Sequence, residues 1–180
     1  GDAYDLASLP AASFDTVVLN AVFHWLPEKT GPLQGCARLL RPGGRIGIST
    51  GLKGHTTDLH RLMAEAMAEP PFDRYPFTRK SVTFRVDEAE MRALFEATGF
   101  APSLIEVRPT EQTHPSPEAA VRYSEASSFG NLFAHLPAEL KPAASAAMAR
   151  RLAAIATPGG IVVQGHRLVA LAVRRGGNAG

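Results

Sequence analysis

Apolar and polar positions fall into blocks along the chain, and the period of the blocks switches in a regular order. "FDTVVLN" (Phe14 to Asn20) is a short apolar run with β-branched residues, bounded by polar ones. That pattern predicts a strand covered on both faces. "PLQGCARLL" (Pro32 to Leu40) sets Leu33, Cys36, Ala37 and Leu40 at helical spacing, with Pro32 suited to the first turn. "RPGG" stops this helix, because Pro42 cannot continue it and Gly43 and Gly44 permit positive φ. "RIGIST" (Arg45 to Thr50) is the next strand. Strand, helix, tight turn and strand are the grammar of a βαβ unit in a parallel sheet. The predicted class is α/β.

Further on, Leu59, Leu62, Met63, Ala66 and Met67 line one face of a helix that ends before Pro70. "SVTFRV" alternates and predicts a short extended piece. "DEAEMRALFEATGF" carries both helix signals: Asp87 caps, Glu90 sits three residues on as in a capping box, and Gly99 follows the last turn. Leu94 and Phe95 lie on its buried face, and "SLIEVRPTEQ" is then a strand. From His114 to Gly160 the composition turns to Ala, Pro and Ser. Ser116-Pro117 opens one helix, "SSFGNLFAHLP" is a loop or short helix, and "AELKPAASAAMARRLAAIA" is an Ala-rich helix bent by Pro142 near its start. "GIVVQGHRLVALAVRR" closes as one long strand, or two about Gly165, and "GGNAG" is a frayed tail.

Composition narrows the function. The 180 residues are 45% hydrophobic and 20% charged, as in a globular domain, and the formal net charge is +2. Charge therefore points to no nucleic-acid partner, and no apolar run approaches the ~20 residues of a membrane span. The single cysteine, Cys36, makes no internal disulfide and reads as a buried small hydrophobe. His55 and His60 are five apart, the wrong spacing for a metal pair on one helix face. A cytoplasmic, metal-free protein is the expectation.

"GDAYDLASLP", then "FDTVVLNAVFHWLP", then "LQGCARLLRPGGRIGIST" resembles the second half of a class I S-adenosylmethionine-dependent methyltransferase, nearest in look to the type 11 small-molecule branch. "DEAEMRALFEATGF" resembles the helix after strand five of that fold. The match runs through about Arg108, and the later helical segment is similar in kind to the variable cap between strands six and seven. The resemblance implies a partial Rossmann-like core over 1–113, a helical cap over 114–158, final strand or strands over 159–175 and a disordered tail over 176–180. It also implies that the glycine-rich cofactor loop and the ribose-binding acid belong to a preceding N-terminal half that this sequence lacks. The expected sheet order, in the family's strand numbers, is 4-5-7-6, with the last strand antiparallel and "TVVL" left on an edge.

The same resemblance assigns candidate residues. Asp2 and Ala3 match the motif at the adenine edge, where a carboxylate accepts from the adenine amino group. Asn20 and Ala21 border the methionine part of the cofactor, S-adenosylmethionine. Trp25 lies against adenine or the acceptor entrance, and His24 is a candidate proton acceptor near the methyl. Each also has a plainer role: a turn residue for Asn20, a loop residue for His24, core for Trp25. In the cap, Tyr123, Phe129, Phe133 and His135 suit either an apolar acceptor pocket or the docking of a helical layer.

The expected activity is methyl transfer to a small organic acceptor by the parent enzyme. The alternative is a non-catalytic, methyltransferase-derived binding or assembly module. The expected partners are a small-molecule acceptor and either a second copy of the chain or the missing N-terminal half.

Overall fold

The structure is a computed structural model, and it describes residues 2–76, 83–128 and 131–176. The elements in chain order are β1 (Phe14–Asn20), α1 (Thr30–Leu39), β2 (Leu40–Gly51), α2 (Asp58–Met67), α3 (Glu88–Ala97), β3 (Phe100–His114), α4 (Pro117–Ser127), α5 (Lys141–Ala153), β4 (Ala156–Thr157) and β5 (Gly160–Arg174). The sheet runs β1-β2-β5-β3, with β4 pairing β5 as a short flap. β1 and β2 are parallel, and β5 is antiparallel to β2. In the family's strand numbers this is the expected order 4-5-7-6, and it leaves β1 at one end.

The chain divides into two compact units. One comprises Gly1–Gly54, Thr83–Arg108 and His166–Gly180, and the other His55–Val82 and Pro109–Gly165. In the first, β2 alternates strictly. Ile46, Ile48, Thr50 and Leu52 are buried while Gly47, Ser49 and Gly51 are only half-buried. The buried row packs against Leu33 and Cys36 of α1, Met91 and Phe95 of α3, and Leu168, Ala170 and Ala172 of β5. Phe95 and Phe100 meet at 5.8 Å between ring centroids, tilted by 56°, a favoured aromatic geometry.

"RPGG" behaves differently from the expectation. The helix stops at Leu39, and Leu40 already pairs with Phe14 of β1. The next paired residue is Arg45, opposite Thr16. Residues 41–44 are therefore extruded opposite Asp15, with Gly43 at φ 79°. Arg41 closes this bulge with an ion pair to Asp15 at 2.7 Å. The punctuation is real, but it interrupts a strand and does not separate two elements.

α3 carries the expected capping box. Asp87 Oδ1 accepts from the Glu90 N–H at 2.8 Å, and Glu90 Oε2 accepts from the Asp87 N–H at 3.0 Å. Gly99 follows at φ 86°.

In the second unit, α2 packs on α5, and α4 packs on α5. Leu62, Met63, Ala66 and Met67 of α2 share a core with Ala120 and Val121 of α4 and with Ala144, Met148 and Leu152 of α5. Ser116 caps α4, accepting from the Ala119 N–H at 3.2 Å. Pro142 bends nothing, contrary to the sequence reading. Ala138–Leu140 form a separate 3-10 turn, and Pro142 lies in the first turn of α5, where its missing N–H has no intrahelical partner to lose. β5 runs unbroken through Gly165. Gly160, at φ 108°, turns the chain from β4 into β5 where a Cβ would stand 2.3 Å from the His114 carbonyl oxygen. The expected disordered tail, 176–180, lies outside the described residues beyond Gly176.

Candidate active site

β1 and β2 end together, with Asn20 opposite Ser49 in parallel register. The crevice outside the carboxyl ends of such strands is where open α/β sheets bind ligands. Immediately after β1 the chain reverses at Ala21, which holds φ 56° and donates its N–H to the Ser49 carbonyl at 2.9 Å. A left-handed alanine costs about 1 kcal/mol or more. The bond to the Ser49 carbonyl holds Ala21 in this conformation.

The next residues form a 3-10 turn, Phe23–Trp25. Phe23 is wholly buried and anchors it. His24 then comes within 3.0 Å of Thr50 Oγ1 through Nδ1, and Thr50 is itself fully buried at the end of β2. The His24 carbonyl accepts from the Phe84 N–H at 2.7 Å. Backbone and ring of His24 are thus both held. Trp25 is half-buried, and its ring lies 5.2 Å from the His24 ring at 45°.

Asp2 and Ala3 reach this loop through Tyr4. Asp2 is exposed, and its Oδ1 accepts from the Tyr4 N–H at 3.0 Å. The Tyr4 hydroxyl donates to the Glu28 carbonyl at 2.8 Å and accepts from the Glu28 N–H at 3.2 Å. Glu28 in turn covers the N-terminus of α1, accepting from the N–H groups of Thr30 and Gly31. The Gly31 bond, foremost among these, holds the Glu28 carboxyl below its ordinary value. Lys29 is buried, donates to the Leu26 carbonyl at 2.5 Å and lies 5.2 Å from the Phe23 ring centroid. Burial lowers its pKa.

Beside these residues lies an apolar cavity of about 290 Å³, walled by Ala3, Leu6, Val17, Leu19, Leu26 and Cys36 among others. Burial pushes the Cys36 thiol up, so it lines the cavity as a neutral group. The donor set fits part of an adenosyl cofactor: a carboxylate at Asp2 for an exocyclic amino group, and the Asn20–Ala21 turn at a strand end. Among the described residues, no group of three His, Cys, Asp or Glu side chains could hold a metal ion. No helix among them is long and apolar enough to cross a membrane.

The structure therefore brings Asn20, Ala21, His24 and Trp25 together with Ser49 and Thr50, and ties Asp2 and Ala3 to the same loop. The cap candidates belong to the second unit. Phe133 is part of its core, and His135 is buried, which lowers its pKa. Tyr123 is exposed, its hydroxyl accepts from Gln112 Nε2 at 3.0 Å, and its ring lies 5.1 Å from that of His114. Phe129 lies outside the described residues.

Sequence reasoning missed Arg167 and Ser49. Arg167 Nε donates to Ser49 Oγ at 2.9 Å, and Nη2 donates to the Ser49 carbonyl at 2.9 Å and to Asn20 Oδ1 at 3.3 Å. The available signal was the antiparallel return of the last strand, which puts its first half over the carboxyl ends of its neighbours.

A family model described as a methyltransferase domain matches residues 1–48. A malonyl-[acyl-carrier protein] O-methyltransferase of Methylococcus capsulatus is 30% identical over 138 residues, which is 76% of this chain and 46% of that protein. A ubiquinone biosynthesis O-methyltransferase of Xanthomonas oryzae pv. oryzae is 41% identical over 46 residues, 26% of this chain and 19% of that protein. The chain thus spans about half or less of the length of these curated relatives. Among solved structures, a loganic acid methyltransferase with S-adenosylhomocysteine superposes with a TM-score of 0.68 at 13% identity, covering all of this chain and 66% of that one. A [4+2]-cyclase superposes at 0.52 with 18% identity, covering 98% of this chain and 56% of that one. Residues 1–48 thus match a methyltransferase domain, and the chain has the Rossmann-like α/β fold of the methyltransferase it superposes on.

Proposed function

We propose that the protein containing this chain is a class I methyltransferase that transfers a methyl group from S-adenosylmethionine to a small organic acceptor. The observation that carries the reading is the convergence, at the carboxyl ends of β1 and β2, of the Asn20–Ala21 turn and the His24–Thr50 pair. Asp2, Ala3, Asn20, Ala21 and Trp25 border the cofactor in this reading. Relationship to two O-methyltransferases favours an oxygen nucleophile.

The bound cofactor supplies an already activated methyl on its sulfonium. The chain's own task is positioning. Ala21, fixed by its bond to Ser49, keeps the strand end clear, and Asn20 presents an amide there. Trp25 offers a flat apolar wall that excludes water. His24, its ring oriented by buried Thr50, accepts the acceptor's proton where one must leave. Alignment of two reactants in one site accounts for a large part of such a barrier, on the order of 7–11 kcal/mol at best.

The test is transfer of labelled methyl from S-adenosylmethionine to small carboxylic and phenolic acceptors, including a malonyl thioester. His24→Ala should lower kcat more than it raises KM. Absence of transfer to any acceptor, together with absence of cofactor binding, would remove the reading.

A second reading, a binding or assembly module, is favoured by one observation. Val18 of β1 is 67% exposed and Leu171 of β5 is 44% exposed on the half-buried face of the sheet. The [4+2]-cyclase neighbour adds that the fold alone does not fix the chemistry.

A further inference from the structure

We propose that Arg167, seconded by Arg85, binds a carboxylate group of the methyl acceptor. The inference rests on the methyltransferase reading above and names the acceptor's recognition group.

The argument begins with register. Gly51 of β2 stands opposite Arg167 of β5 in the antiparallel ladder, and Ser49 stands opposite Val169. Directly opposed residues project from the same face. Ser49, Gly51 and Arg167 therefore share the half-buried face, away from the row of Ile46, Ile48 and Thr50. Arg85 lies on this face too. A Cβ built on Gly51 would meet Arg85 Nε at 3.1 Å and Cδ at 3.4 Å. Because Gly51 has no side chain, the Arg85 side chain lies down on the end of β2, next to the position from which Arg167 rises.

Charge separates Arg167 from the ion-paired arginines of the molecule, though Arg38 and Arg174 also donate only to backbone carbonyls. Arg41, Arg61, Arg108 and Arg151 each pair with a carboxylate. Arg167 is held only by neutral oxygens, those of Ser49 and Asn20, and among the described residues it meets no Asp or Glu. These bonds engage Nε and Nη2 and fix the plane of the guanidinium, while the two Nη1 protons are left for a ligand. A guanidinium fixed in a plane presents its Nη1 edge to a carboxylate as a pre-oriented, charge-assisted donor.

The side of approach favours the acceptor over the cofactor. Arg167 enters from β5, on the far side of β2 from β1, whereas the residues assigned to the cofactor are on and after β1. The guanidinium touches Asn20 at the boundary between the two.

The experiment is isothermal titration of malonate, malonamide and inorganic phosphate into the protein containing this chain, with and without saturating S-adenosylhomocysteine. The expected result is that malonate binds and malonamide does not. Arg167→Met should weaken malonate at least tenfold, and Arg167→Lys, which keeps the charge without the planar guanidinium, should weaken it less. Arg85→Met should weaken it several-fold, and S-adenosylhomocysteine affinity should stay within twofold throughout. Circular dichroism and the thermal midpoint confirm folding, and Arg167→Lys carries the test if Arg167→Met fails to fold. Malonate binding indifferent to both Arg167 variants would overturn the proposal. So would phosphate binding tighter than malonate, or S-adenosylhomocysteine weakening in parallel, which would assign the guanidinium to the cofactor's own carboxylate. Loss of S-adenosylhomocysteine binding in the wild type would instead strike the methyltransferase reading, and the titration without cofactor still reads Arg167.

Discussion

The guanidinium of Arg167 reaches across the end of β2 to the side chain of Asn20, 3.3 Å from its Oδ1. That contact joins the start of the last strand's inner half to the end of the first strand, 147 residues earlier in the chain. Asn20 itself stands where the cofactor's methionine end is proposed to lie. Asn20→Ala should leave Arg167 anchored by Ser49 alone and weaken S-adenosylhomocysteine by about 1 kcal/mol, roughly fivefold, the usual worth of one such bond. Calorimetric titration of the variant checks it.

The capping box of α3 makes a pH prediction. Glu90 is held below the ordinary carboxyl value of 4.5, first by the hydrogen bond from Lys53 and then by the Asp87 N–H. A carboxyl with a depressed folded pKa contributes stability that is present above its unfolded value and lost as pH falls through the folded one. The first unit should therefore lose stability below about pH 4.5, and Glu90→Gln should flatten that loss while lowering stability at neutral pH. Asp87→Ala should cost about 1 kcal/mol at pH 7. Urea melts of both variants across pH 3 to 7 measure these effects.

Elements with local causes were legible in the sequence. β1 occupies the predicted Phe14–Asn20, although its apolar run is not covered on both faces as expected, since Val18 is 67% exposed; α3 carries the predicted Asp87–Glu90 box, because capping acts within a few residues. The sheet order followed from the family resemblance. What was not legible depends on pairing between distant segments. "RPGG" read as a plain stop because nothing local announces that Leu40 is already paired with Phe14. The packing of α2 with α4 and α5 was equally hidden, since an apolar helical stripe does not say which partner covers it. Arg167 was overlooked for the same reason: within "GHRLV" it is one polar residue in a strand, and it gains meaning only from the register that sets it opposite Gly51.

Gly160 offers a test of the β4–β5 connection. Its φ of 108° and the 2.3 Å approach of a would-be Cβ to the His114 carbonyl exclude any side chain without a backbone shift. Gly160→Ala should destabilise the second unit by roughly 2–4 kcal/mol. A thermal or denaturant midpoint indistinguishable from wild type would mean that the turn is built differently.

The edge of β1 predicts association. Val18 is 67% exposed on a strand paired on one side only among the described residues. The stretch Thr16 to Leu19 of this edge carries no charge, and such an apolar edge invites a further strand. The chain expressed alone should self-associate in sedimentation velocity, and Val18→Lys should shift it toward monomer. A monomeric wild type with slow amide exchange at Val17 and Val18 would show the edge to be covered.

The central claim, that this chain forms part of an S-adenosylmethionine site, is tested most directly by titrating S-adenosylhomocysteine into the protein that contains it, as wild type and as Asp2→Ala. Asp2 already lends one carboxylate oxygen to the Tyr4 N–H, and Tyr4 ties it to the loop at Glu28. The account predicts saturable binding by the wild type, and several-fold weaker binding by Asp2→Ala with an unchanged thermal midpoint in the absence of ligand. Wild-type protein that is folded yet gives no heat and no thermal shift with S-adenosylhomocysteine would contradict it.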